Sequence, residues 1–244
     1  MSCIHFSYFG KGKQTIVLFP GWTHPVQKEP KFINELGKKF RIISVELPGY
    51  MNNADLSSYQ DFLFLAKEFH KELKKTNINP LAFIGFSMGC KLITTYSSLY
   101  PSNIRCIFIG CPINSYQLPI WAKLLVKHKF LINLFRRNKK FIQFAVNIAF
   151  QNVSQDPKAT FKEDRVTLLG AFDSLIGLIT SDMKLNKYKN LTTFIYGKND
   201  NYLQEAEKMN LSKLKIISGA GHNCVYDHEI EIVKLINQAI KNIP

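Results

Sequence analysis

The chain has 244 residues, enough for one domain or for one domain carrying an insertion. Hydrophobic residues make up 46% and charged residues 20%, which excludes global disorder and allows a core of normal size. Thirty-two Lys and Arg against 18 Asp and Glu give a formal charge of +14, and the excess is uneven. From Ile113 to Gln155 there is no acidic residue, while Lys123, Lys127, Lys129, Arg136, Arg137, Lys139 and Lys140 all fall there. Such a segment suits either a solvated surface or an anionic partner.

The five cysteines, Cys3, Cys90, Cys106, Cys111 and Cys224, are odd in number and irregularly spaced. That pattern argues against a disulfide framework or a zinc site and for small buried thiols in a reducing compartment. Met1 to Phe9 lacks the basic start of a signal peptide, and no stretch offers about twenty uninterrupted apolar residues. The expectation is a cytoplasmic monomer without stable membrane insertion. No nucleic-acid-binding module is recognised.

In chain order, Cys3 to Tyr8 reads as an antiparallel edge strand turning at Gly10 to Gly12. Gln14 to Phe19 and Arg41 to Glu46 follow as β-branched apolar runs. Ser57 to Lys75 carries Leu63, Leu65, Ala66, Phe69 and Leu73 at helical spacing. Leu81 to Gly85 is a strand, Met88 to Tyr100 a helix closed by Pro101, and Arg105 to Gly110 another strand. Thr192 to Tyr196 and Leu214 to Ser218 are the last strands, and Glu229 to Ile240 the last helix. Nearly continuous apolar strands alternating with helices predict an α/β fold with a doubly wound, mostly parallel sheet.

About eighty residues separate the strand ending at Gly110 from that beginning at Thr192. They hold three helical patterns, Ile120 to Phe135, Lys140 to Phe150 and Phe161 to Ile179, and no convincing strand. A connection this long is normally functional. It reads as a helical cap, residues 113–189, inserted into a core made of residues 1–112 and 190–244.

Three motifs carry chemistry. Gly85-Phe86-Ser87-Met88-Gly89 lies between a buried strand and a helix, the context of a nucleophile elbow. A serine hydroxyl is a poor nucleophile at neutral pH and needs a base. Of the six histidines, His222 stands out, because Gly219-Ala220-Gly221-His222-Asn223 follows the last strand and precedes the last helix. His228 reads as a surface residue at the start of that helix. The base in turn needs an acid, and Asp200 closes Tyr196-Gly197-Lys198-Asn199-Asp200 directly after a strand. Asp227 and Asp182 are rivals away from a strand end. The order Ser87, Asp200, His222, each at the C-terminal end of a strand, is more specific than any motif alone. The N–H of Met88 and that of Trp22, in Pro20-Gly21-Trp22-Thr23-His24-Pro25, are the expected oxyanion donors. No metal or redox cofactor is implied.

These three motifs resemble those of the α/β-hydrolase superfamily across nearly the whole chain, and the resemblance implies its fold and an acyl-enzyme mechanism. Leu47-Pro48-Gly49-Tyr50 looks like the family's LPG-aromatic turn, and Ser181-Asp182-Met183 resembles its element leaving the cap. Within the superfamily, Pro20-Gly21-Trp22, the LPG turn and the compact cap are most similar to the pimeloyl-acyl-carrier-protein methyl ester carboxylesterases of biotin synthesis. That similarity implies an acyl chain tethered to an acidic acyl carrier protein. Arg136, Arg137, Lys139 and Lys140 would face the carrier, and Phe141 and Phe144 the acyl chain. The sequence departs from the pattern at three places. Pro20-Gly21 replaces the usual His-Gly, Met51-Asn52-Asn53-Ala54 stands where a Gly-x-Ser is usual, and Cys90-Lys91 follows the elbow. A thioesterase, a monoacylglycerol lipase or a carbon–carbon hydrolase of the same fold is an alternative. So is a binding module that has lost catalysis, or a protein that binds a membrane surface through its basic, amphipathic segment.

Overall fold

The computed structural model describes residues 3–113, 128–154, 158–181 and 192–241. Seven strands form one sheet: β1 (His5–Phe9), β2 (Gln14–Phe19), β3 (Phe40–Glu46), β4 (Ala82–Phe86), β5 (Arg105–Ile109), β6 (Thr192–Gly197) and β7 (Leu214–Ile217). Their spatial order is β1-β3-β2-β4-β5-β6-β7. Only β1, paired with β3, runs antiparallel; every other neighbouring pair is parallel.

The apolar character of these strands has a direct cause. Alternate side chains enter two separate cores, one on each face. Val17, Phe19, Ile43, Val45, Phe83, Phe108, Phe194 and Tyr196 pack on one face. Ile16, Leu18, Ile42, Ile84, Ile107, Ile109 and Ile195 pack on the other. The first face is covered by α2 (Phe62–Lys75) and α3 (Met88–Leu99). The second is covered by α1 (Pro30–Gly37), through Phe32, Ile33 and Leu36, and by the last helix of the chain, Glu229–Lys241.

Between β5 and β6 the described residues form three helices, α4 (Lys129–Phe135), α5 (Lys139–Ser154) and α6 (Leu168–Thr180). Of these, α6 is tied to the loops that follow β2 and β3, through Trp22 and the Gly49 turn. Tyr50, in the turn after β3, bridges Val166, and the Gly49 carbonyl accepts the Thr167 N–H at 2.8 Å. After β6 come α7 (Leu203–Lys208), the one-turn α8 (Cys224–Asp227) and α9 (Glu229–Lys241). Among the described residues, no helix is long and apolar enough to cross a membrane.

Several boundaries differ from expectation for local reasons. The second helix starts at Phe62 rather than Ser57, because the Asp61 carboxylate accepts the Phe64 N–H and caps the helix there. The third cap helix starts at Leu168 rather than Phe161, because Thr167 caps Gly170 in the same way. α1 was not anticipated: Pro30 opens it, and it is only eight residues long. Residues 120–127 of the first expected cap helix, together with Asp182 and Met183, lie outside the described residues.

Candidate active site

Ser87 is the single residue between the end of β4 and the start of α3. Its φ of 47° and ψ of −111° lie where a side-chain-bearing residue stays only if its surroundings hold it. Ser87 N–H donates to the Ile109 carbonyl at 2.8 Å, and the Cys90 N–H donates to the Ser87 carbonyl at 3.0 Å. The two flanking glycines are sterically required: a Cβ on Gly85 would lie 2.7 Å from the Cys90 nitrogen, and one on Gly89 would lie 2.7 Å from the Phe19 carbonyl oxygen.

Asp200 follows β6 in a turn closed by its N–H donating to the Gly197 carbonyl at 3.1 Å. The carboxylate is fully buried. Oδ1 accepts the Tyr202 N–H at 2.9 Å, which leaves Oδ2 to face His222 Nδ1 at 3.0 Å. His222 follows β7, and its Nε2 lies 3.0 Å from Ser87 Oγ. A carboxylate accepts only, so Nδ1 carries the proton and Nε2 offers a lone pair to the serine hydroxyl. The imidazole is held between the Phe86 ring, stacked at 5.8 Å, and the Tyr202 ring, edge-on at 5.2 Å.

The loop after β2 closes over this group. Gly21 and His24 exchange backbone hydrogen bonds of 3.1 and 3.3 Å, placing Trp22 and Thr23 at the centre of a tight turn. Tyr50, from the Leu47-Pro48-Gly49-Tyr50 turn, accepts the Thr23 N–H on its hydroxyl at 3.3 Å and so props the loop from behind. Met88 opens α3, where the first N–H groups have no partner within the helix. The Trp22 side chain is buried, and its Nε1 donates to the Ala171 carbonyl of α6 at 2.8 Å, tying the loop to the cap.

A cavity of about 130 Å³ opens beside Ser87. Trp22, Phe86, Phe150, Val153 and Leu178 give it apolar walls; Thr23, His24, Ser87, His222 and Asn223 give it polar ones. Burial holds the His24 imidazole below its ordinary pKa. Among the described residues, no cluster of His, Cys, Asp and Glu is arranged to hold a metal ion.

Ser87, His222 and Asp200, expected to converge, lie within hydrogen-bond distance, and Trp22 and Met88 flank them. The rival Asp227 is exposed, and Asp182 lies outside the described residues. His228, expected at the surface, is half-buried, with Nδ1 enclosed.

The cap residues require correction. Phe144 is 64% exposed, and Phe141 packs against Phe135 and Phe172. Neither lines the cavity. Ile142 and Val146 are the buried residues of α5, and Phe150 and Val153 continue that side of the helix toward Trp22. Arg136 is no free docking cation. Its side chain is only 5% exposed, pairs bidentately with Asp173 at 2.9 Å, and donates to the Leu56 and Ser57 carbonyls. Arg137, Lys139 and Lys140 are exposed. His24 and Phe150 line the cavity without having been expected there; the signal for Phe150 is its four-residue spacing from Val146.

Comparisons with known proteins agree with the fold that carries this site. A family model described as the alpha/beta hydrolase fold matches residues 14–229. The monoacylglycerol lipase ABHD6 of Mus musculus is 22% identical over 252 residues, spanning 92% of this chain and 74% of that protein. Among solved structures, the enol-lactonase of Burkholderia xenovorans LB400 superposes with a TM-score of 0.72 at 14% identity, covering 98% of this chain and 96% of that one. An esterase from Exiguobacterium antarcticum does so with a TM-score of 0.69 at 17% identity, covering 98% and 96%. With the family model spanning nearly the whole chain and the seven-stranded sheet beneath it, this protein belongs to the α/β-hydrolase fold family.

Proposed function

We propose that this protein is a serine hydrolase that cleaves a carboxylic ester through a covalent acyl-enzyme. The observation that carries the reading is the continuous chain from Asp200 to His222 to Ser87, with both links at 3.0 Å. In the proposed cycle, Ser87 Oγ attacks the ester carbonyl as His222 Nε2 takes its proton. The N–H groups of Trp22 and Met88 receive the oxyanion. His222 then protonates the departing alcohol as the carbonyl–oxygen bond breaks, leaving the acyl group on Ser87. A water deprotonated by the same imidazole attacks the acyl-enzyme, and the serine leaves with the proton returned to it. Asp200 orients the imidazole and stabilises its charged form.

The cavity beside Ser87 suits a short acyl chain better than a long one. Two classes of ester fit the site's wider setting. A methyl ester on an acyl carrier protein is supported by the exposed Arg137, Lys139 and Lys140 at the start of α5, the helix whose far end lines the cavity. An ester of a hydroxylated alcohol is supported by the polar half of the cavity wall.

A fluorophosphonate probe tests the reading, together with assays of short-chain p-nitrophenyl esters. The wild-type protein is expected to label at Ser87 and to hydrolyse the esters. Ser87→Ala is expected to lose the label and about four or more orders of magnitude in kcat. An unlabelled wild-type protein, or a Ser87→Ala variant that keeps its activity, refutes it.

A further inference from the structure

Resting on that reading of Ser87, we infer that His24 is the hydrogen-bond acceptor of a leaving-alcohol subsite, so that the preferred substrate is an ester of an alcohol bearing a further hydroxyl. The argument begins with the two directions in which the loop after β2 sends its side chains. Trp22 turns toward the cap, with Nε1 on the Ala171 carbonyl and its ring 6.4 Å from that of Phe150. Two residues later, His24 turns the other way, its ring 5.2 Å from that of Tyr226, which lies four residues beyond His222. The cavity is thus lined by apolar residues of the β5–β6 helices, Phe150, Val153 and Leu178, and by His24, His222 and Asn223, with Phe86 and Tyr226 linking the His24 and His222 rings.

Mechanism assigns these walls to the two halves of an ester. His222 Nε2 must hand its proton to the leaving oxygen, and that transfer needs hydrogen-bond reach. The alcohol half thus lies on the His222 side, next to His24 and Asn223. The acyl half is left to Trp22, Phe150, Val153 and Leu178.

The hydrogen bonds of His24 decide what it can offer. Its Nδ1 lies 3.2 Å from the Trp22 carbonyl oxygen and 3.1 Å from Thr23 Oγ1. A carbonyl only accepts, so Nδ1 carries the proton. Burial disfavours the charged imidazolium and so favours the neutral ring. That leaves Nε2 as the acceptor of a ring that lines the cavity. A methyl ester gives it nothing to accept from, whereas a glycol or glycerol ester brings a hydroxyl proton. A site built around a hydroxyl disfavours a substrate without one, because the polar group loses its partner.

The test compares two esters of the same short acid, monobutyrylglycerol and methyl butyrate, on the full chain. Wild-type kcat/KM is expected to favour the glyceryl ester by about tenfold or more. In His24→Phe, which keeps a ring against Tyr226 but removes the acceptor, that preference is expected to fall about tenfold, chiefly through KM. His24→Gln, which restores an acceptor oxygen, is expected to recover part of it. Fluorophosphonate labelling of Ser87 in each variant reports whether the site is assembled. A wild-type preference for the methyl ester, or a preference unchanged in both His24 variants, overturns the inference while leaving the serine hydrolase reading intact. Failure of wild-type protein to label at Ser87 overturns both.

Discussion

A single methyl group at position 110 would press on the centre of this site. Gly110 has φ of +58°, and a Cβ there would lie 3.0 Å from His222 Cε1, 3.1 Å from Nδ1 and 3.2 Å from Asp200 Oδ2. The glycine lets the chain after β5 turn beneath the imidazole–carboxylate pair and leaves space for both. Gly110→Ala is expected to fold, at a cost of about 1–2 kcal/mol for the left-handed backbone. It is expected to lose about tenfold or more in kcat, because the imidazole shifts against Ser87. Thermal melts and steady-state assays separate the two effects. The sequence announced Ser87, Asp200 and His222 because each sits in a short motif at a strand end. It could not announce Gly110, whose importance comes from a contact across more than a hundred residues. His24 was passed over for the same reason, since only the turn of its loop brings it to the cavity wall.

At the scale of elements, the cap is fastened by an ion pair rather than offered to a partner by it. Burial pushes the Asp173 carboxyl up to about 6, even though the Arg136 guanidinium pulls it down. At pH 8 the carboxylate is ionised, and Arg136 ties α6 through it to the segment ahead of α2 at the Leu56 and Ser57 carbonyls. Arg136→Met at that pH strands a largely buried carboxylate and is expected to cost about 3 kcal/mol in urea unfolding. Adding Asp173→Asn is expected to recover part of that loss, because the charge left behind is removed. From sequence alone the Arg136-to-Lys140 run reads as one basic patch. The structure splits it into one structural arginine and three exposed cations, because α4 ends at Phe135 and turns Arg136 inward. The aromatic residues of α5 depart from expectation for a related reason. A helix with apolar residues on several sides does not declare which one meets the core.

At the scale of the molecule, the excess of fourteen positive charges acts on the folded state as a whole. The surface ion pairs Lys38–Glu35, Lys71–Glu68 and Lys75–Glu72 each contribute little, so self-repulsion dominates the response to salt. Raising sodium chloride from 20 to 300 mM is expected to raise Tm by about 2–4 °C, the shift produced by roughly 1 kcal/mol in a domain of this size. A fall in Tm over that range would mean that local pairs outweigh the repulsion. The architecture was legible for a different reason. A strand buried on both faces must be apolar throughout, and a parallel neighbour requires a helix between, so local pattern and sheet order are linked. The amino-acid sequence by itself therefore determined the mostly parallel α/β sheet and the order of the three motif residues along it. Only the tertiary structure decided which cap residues reach the cavity, which basic residues remain free, and which histidine joins His222 at its wall. Those outcomes depend on how helices rotate and loops turn against distant neighbours, a property of packing that periodicity along one segment does not contain.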